Sequence, residues 1–143
     1  MEKIPLSITL KASLENLDKV NRFVHQWSKK VGLSSQSEKD ILLAVEEAYV
    51  NITKYAYPES TGRVTIYSRI DKDRLIIKIK DEGIPFNPLQ FTKAEFNTSL
   101  KERKVGGLGI FLMRNFVDGV EYERKGNCNL LTLIKKKSRD IFN

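Results

Sequence analysis

Three short segments of this 143-residue chain carry residue types whose spacing suits chemistry. The first is E-A-Y-V-N, residues 47–51. Side chains four apart on a helix differ by about 40° around the axis and stand one turn above another. Glu47 and Asn51 therefore point the same way, whereas Glu46, five residues from Asn51, diverges by about 140°. A carboxylate beside an amide oxygen can hold hydrated Mg2+, a hard cation that keeps most of its waters. The carboxylate can instead orient or deprotonate a nucleophile. The spacing alone equally suits an exposed Glu beside an Asn on a solvated helix, because charged residues are mostly exposed.

The second segment is D-E-G, residues 81–83, at the end of the alternating run RLIIKIKD. A carboxylate delivered to a strand end among apolar neighbours can accept a hydrogen bond from an exocyclic amine. Gly83 would let the backbone come close to a flat ring. Asp-x-Gly is also ordinary turn chemistry. The third segment is G-G-L-G, residues 106–109, where a helix-like run begins. Unpaired N–H groups at a helix start favour anions, so Gly106, Gly107 and Gly109 can wrap phosphates. A flexible hinge would use the same glycines. Lys101, Arg103 and Lys104 precede them, and that cationic approach favours phosphate binding over a bare hinge. Neither the GxxxxGK[ST] phosphate loop nor the GxGxxG dinucleotide fingerprint occurs.

The elements that must position these segments follow from periodicity. LSITLK (6–11) alternates and predicts a strand. A helix follows, with Ser13 as its expected N-cap, Leu17, Val20, Val24, Trp27 and Val31 as its apolar stripe, and Gly32 as its stop. A second helix is expected through SEKDILLAVEEAYVNITKYAY, with Ser37 as cap and Ile41, Val45, Ala48, Ile52 and Tyr55 facing the core. Residues 63–70 and 74–81 alternate around Asp71-Lys72-Asp73, a hairpin signal. Residues 107–118 predict a short helix, and 119–137 two strands turning at Lys125-Gly126-Asn127. The stretch 81–109 lies between structured segments and reads as a long functional loop. The expected order is β-α-α-β-β-loop-α-β-β. That pattern predicts an α/β (α+β) two-layer sandwich, a mixed and mostly antiparallel sheet with helices on one face.

Composition bounds the function. Hydrophobic residues make up 41% and charged residues 30%, as in a soluble globular protein, and the length favours a single domain over residues 1–143. No apolar run approaches the roughly 20 residues that span a bilayer, and MEKIPLSITL lacks the layout of a signal peptide. One cysteine, Cys128, forms no internal disulfide. A cytoplasmic protein without membrane contact is expected. The sole histidine, His25, is expected to be structural, since a metal site needs several ligands. The net charge of +7 suits a polyphosphate ligand and permits nucleic acid or acidic proteins as partners.

In this order and on these elements, EAYVN, DEG and GGLG followed by a helix resemble the GHKL ATPases, whose nucleotide site is the Bergerat fold. The resemblance runs from the first strand to Lys136. Within that superfamily, EEAYVNITKYAY, DEGIPFNP and GGLGIFLMRNFVDGVEYER look most like the anti-sigma-factor serine/threonine protein kinases, small bacterial regulators of transcription. The resemblance implies ATP and Mg2+ as cofactors. It implies Asn51 as the metal ligand that bridges the phosphates, and Glu47 as the residue that helps deprotonate an acceptor serine. Asp81 would accept from the adenine amino group, and Gly83 would keep the adenine pocket open. Residues 88–105 would form the ATP lid, with Gly106, Gly107 and Gly109 as hinge and phosphate cradle.

The chain departs from the family in places. A Gly-Thr often precedes the last strand of the family, and here the stretch is GNCNLLTL, with Asn129 at that position. An arginine often stands close before the glycine box, and here Arg103 or Lys104 would have to reach the phosphates. The implied activity is serine phosphorylation of an anti-sigma factor antagonist by a protein that also sequesters a sigma factor, as a homodimer. A nucleotide-gated binding module without transfer is the alternative. Direct nucleic-acid binding rests on charge alone, because the aromatics form no stacking platform.

Overall fold

The computed structural model describes residues 4–58, 60–87 and 113–137. The lid expected at 88–105, Lys104, Gly106, Gly107, Gly109 and the start of the helix expected from 107 lie outside the described residues. The first strand, β1, spans Ser7–Lys11, and a short 3-10 turn, Leu14–Asn16, leads into helix α1, Leu17–Val31. Ser13 caps the 3-10 turn, its Oγ accepting from the Glu15 N–H at 3.2 Å. Gly32 ends α1 at φ 81°, a left-handed position that suits a residue without Cβ.

Helix α2 spans Ser35–Asn51 and is capped by Ser34 rather than Ser37. The Ser34 Oγ accepts from the Ser37 N–H at 3.1 Å, so Ser37 is the residue served by the cap. The helical path continues to Ala56, but not in one form. From Ile52 to Ala56 the helix widens into a π turn directly after Asn51. Such turns interrupt α-helices mostly at functional sites.

Strands β2 (Arg63–Asp71) and β3 (Arg74–Asp81) form the expected hairpin, as do β4 (Gly119–Lys125) and β5 (Cys128–Lys136). The turns are Lys72-Asp73, with Lys72 at φ 60°, and Gly126-Asn127, with Gly126 at φ 62°. The sheet order is β1-β2-β3-β5-β4, and every described pairing is antiparallel. The β3–β5 contact brings residues far apart in sequence into register, and it sets Asp81 opposite Asn129.

One face of the sheet is covered by the helices. Val64, Ile66, Leu75, Ile77, Ile79 and Leu133 come from the strands, and Val20, Phe23, Val24, Ile41, Val45 and Tyr49 from the helices. Full burial of each large apolar side chain contributes about 1.5–3 kcal/mol. The polar tips of the buried aromatics are bonded: Tyr49 donates to the Ser13 carbonyl at 2.7 Å, and the Trp27 indole N–H to the Pro5 carbonyl at 2.9 Å. A helical turn at 113–116 precedes β4. Lys135 ties it down, its ammonium donating to the Phe116 carbonyl at 2.7 Å and to Asp40 at 3.2 Å. Among the described residues no helix is long and apolar enough to cross a membrane.

Candidate functional site

The end of α2, the end of β3 and the start of β5 converge on one pocket with about 520 Å³ of space open to solvent. Ala48, Ile52, Tyr55, Ile79, Phe86 and Leu131 make its walls mainly apolar, and Asn51, Asp81, Tyr122 and Asn129 are its polar groups. A largely apolar slot with a few placed polar groups suits a flat heterocycle. Met113, four residues after Gly109, lines the same pocket, so the chain returns to it after the glycine segment.

Asp81 is 5% exposed. Its Oδ1 accepts from the Gly83 N–H at 2.8 Å and from the Asn129 amide at 2.9 Å. Burial pushes its pKa above the usual carboxylate value, and these two bonds and the nearby Arg124 oppose the rise. Asn129 donates its second N–H to the Ile84 carbonyl at 2.8 Å. Its Oδ1 accepts from the Tyr122 hydroxyl and from the Phe86 N–H. Both donors and both acceptor sites of this amide are thus used inside the protein.

Gly83 is required for a reason other than an open pocket. A Cβ there would stand 2.3 Å from the Ala56 carbonyl oxygen, which also accepts from the Ile84 N–H at 2.9 Å. The glycine seats the loop after β3 directly on the π turn. Arg124 reaches the same loop and donates to the Gly83 carbonyl at 2.8 Å. Tyr57, just past the π turn, donates to the Arg63 carbonyl at 2.7 Å and accepts from the Glu82 N–H at 2.8 Å. Its ring fills the space where a Cβ on Gly62 would be.

Glu47 and Asn51 stand together as the helix spacing requires. The Asn51 amide approaches Glu47 Oε1 at 3.5 Å, the outer limit of a hydrogen bond. Asn51 is buried and Glu47 half-buried. Burial raises the Glu47 pKa, with Glu46 adding to the rise and Lys54 and Asn51 opposing it. With its NH2 turned to Glu47, Asn51 has its oxygen to offer elsewhere. A carboxylate and an amide oxygen are hard donors, and they fit Mg2+.

The pocket therefore joins Asn51, Asp81 and Asn129, with Glu47 one turn away along α2. Tyr122, Arg124, Tyr57 and Phe86 were not among the residues expected from sequence. Tyr122 and Arg124 share one face of β4 by period two, which was the available signal. Tyr57 and Phe86 carried none.

A two-layer sandwich with an apolar pocket between a helix end and a buried strand-end carboxylate defines a class of nucleotide-site proteins. Residues 10–135 match the family model for the histidine kinase-like ATPase domain, and the chain belongs to that family. It is 27% identical over 124 residues to a serine-protein kinase RsbW of Bacillus mycoides, covering 84% of this chain and 76% of the relative. It is 26% identical over 135 residues to an anti-sigma F factor of Clostridium acetobutylicum, covering 94% of this chain and 93% of the relative. Among solved structures, the RsbU and RsbW domains of Rv1364c from Mycobacterium tuberculosis match with a TM-score of 0.67 at 19% identity. That match covers 96% of this chain and a third of the larger structure, 33%, and supports the fold.

Proposed function

We propose that this chain is an ATP-dependent protein serine kinase and anti-sigma factor of a partner-switching system. The observation that carries the reading is the joining of Asp81 and the Glu47–Asn51 pair by one apolar pocket. Asp81 is the acceptor for the adenine amino group. The aromatic and aliphatic walls, among them Tyr55, Phe86 and Leu131, sandwich the ring. Asn51 is the residue to hold Mg2+, which when bound neutralises phosphate charge. Glu47, half-buried and with a raised pKa, is suited to take the proton of an acceptor serine. Phosphoryl transfer then rests mainly on positioning and charge neutralisation. Residues 88–105 act as the lid, and Lys104, Gly106, Gly107 and Gly109 as its phosphate-facing end, within a single ATPase domain over 1–143. The kinase is a cytoplasmic homodimer. Its protein partners are an anti-sigma factor antagonist and a sigma factor, as the names of its relatives suggest.

The test is incubation of Mg·ATP with this protein and a candidate antagonist. Labelled phosphate on an antagonist serine is the expected result. ATP binding without transfer would make the protein a nucleotide-gated binding module instead. Asn51→Ala should weaken Mg·ATP binding, and a protein whose melting temperature responds to neither Mg·ATP nor Mg·ADP would overturn the assignment.

A further inference from the structure

Asn129 stands where the resembled family often carries a threonine, and its surroundings give it a different task. It lies opposite Asp81 in the β3–β5 register and is 5% exposed. All of its hydrogen-bonding capacity is spent on Asp81, Ile84, Phe86 and Tyr122. An amide so occupied has nothing to offer a ligand directly. Its orientation is dictated from behind. The Tyr122 hydroxyl and the Phe86 N–H face its oxygen, so its NH2 must face Asp81 and the Ile84 carbonyl.

This fixes Asp81 in turn. Asn129 and the Gly83 N–H both donate to the same oxygen, Oδ1. The carboxylate cannot rotate without losing both bonds, and Oδ2 is the atom left to meet a donor in the pocket. A protonated Asp81 would have to direct its proton at one of these donors or into the pocket, where it would oppose a ligand amine. We propose that Asn129, oriented by Tyr122, is a positioning residue that fixes Asp81 as an acceptor aimed into the pocket and so imposes the demand for an amino-bearing purine. The inference rests on the reading of the pocket as an ATP site.

The groups around Asp81 bear on how it titrates. Arg124 on β4 favours the ionised form, as do the bonds from Asn129 on β5 and from Gly83. Tyr57, beyond the π turn, and Glu82, the next residue, are the other ionisable groups close by, and Tyr122 on β4 faces Asn129. Burial is the opposing influence, and it raises the pKa. Removing the Asn129 donor leaves that burial less opposed, so ionisation must shift to higher pH. Nucleotide binding that needs an ionised Asp81 is then lost at a higher pH than in the parent protein.

The test uses two measurements on the parent protein, Asn129→Ala, Asn129→Thr and Tyr122→Phe. The first is carbon-detected NMR titration of the Asp81 carboxyl without nucleotide. The second is calorimetric binding, from pH 6 to 9, of Mg·ATP and of the Mg complex of purine riboside triphosphate, which lacks the 6-amino group. In Asn129→Ala, Asp81 should titrate at higher pH. Its Mg·ATP affinity should fall about tenfold at pH 6, the equivalent of one pKa unit, with the gap closing as pH rises. The analogue without the amine should lose less. Asn129→Thr, whose hydroxyl can donate to Asp81, should recover most of the loss, and Tyr122→Phe should show a smaller shift of the same sign. An unchanged Asp81 titration overturns the proposal, as does a loss equal at every pH and for both nucleotides. If Asn129→Ala does not fold, the titration of Tyr122→Phe decides by the same criterion. A parent protein that binds no ATP would sink the ATP reading, while the Asp81 titration would still judge the hold of Asn129.

Discussion

The two polar ends of the pocket are built differently. At the strand end, Asp81, Gly83 and Asn129 are locked by bonds of 2.8–2.9 Å, and Arg124 clamps the loop above them. At the helix end, Glu47 and Asn51 meet at 3.5 Å, and Glu47 is half-buried. The first end is rigid and its bonding is complete within the protein. The second keeps hard oxygen donors whose own mutual contact is weak, as is common for catalytic groups before a ligand tightens them. The difference teaches that selection of the base and transfer of the phosphoryl group are separable tasks here. Variants at the strand end should change affinity, and variants at the helix end should change turnover.

The largest effect should come from the helix end. Glu47→Gln removes the base while keeping the side-chain shape, and transfer to a serine acceptor should fall about a thousandfold, within the range for loss of a general base. Mg·ATP affinity measured by calorimetry should change less than about threefold, since Glu47 has no role in base recognition. A parallel fall in affinity would erase the division between the ends.

Next comes Asp81→Asn. Its oxygen can still accept from Gly83 and Asn129, which places an NH2 toward the pocket, where an adenine amine would find no acceptor. Mg·ATP affinity should fall about a hundredfold, as for a buried polar mismatch. The melting temperature should not fall, because a buried charge is removed. A hundredfold loss of affinity accompanied by unfolding would count against recognition as the role of Asp81.

Gly83→Ala should act on both properties. Its Cβ would collide with the Ala56 backbone, and overpacking of this kind costs about 1–3 kcal/mol, readable in urea melts. ATP affinity should weaken with it, since the loop carrying Asp81 must lift off the π turn. Stability without loss would show that the loop can shift freely.

The smallest effect is on pH dependence. Asp81 and Glu47 have raised pKa values in the fold, so the native state holds more protons than the unfolded chain between the ordinary carboxylate range and the raised values. Their contribution to stability is complete below that window and is lost as pH rises through it. Asp71 has the opposite sign, because Arg74 beside it lowers its pKa. In urea melts, the stability gained by Asp81→Asn over the parent should therefore shrink as pH falls from 7 toward 5. A gain that grows in that range would mean that Asp81 is not strained by burial.

How much of this was legible follows from distance along the chain. The Glu47–Asn51 pair needed only helix geometry, and Asp81 at a strand end needed only alternation, so both were readable. The strands and both hairpin turns were readable for the same reason. Asn129 opposite Asp81 depends on a register between strands 48 residues apart, which no local pattern encodes. The chain was read as placing Asn129 near the base, but not as bonding it to Asp81. Ser34 and Ser37 are three apart and both are good caps, so composition alone could not choose between them. Tyr49 was missed because its burial depends on the Ser13 carbonyl, a tertiary partner. The π turn carried no signal, since its five residues are ordinary helix formers in sequence.

That π turn has a consequence for how the chain tolerates length change. A π turn carries one residue more per hydrogen-bonded loop than an α turn. Deleting one residue between Ile52 and Ala56 would let the segment relax into regular α-helix, a change that local energetics welcome. It would also swing Ala56, whose carbonyl seats Gly83 and Ile84, by about 100° around the helix axis relative to Asn51. A single-residue deletion should therefore gain helix content by circular dichroism and lose the nucleotide site. Here an improvement of local order and a loss of function are the same event.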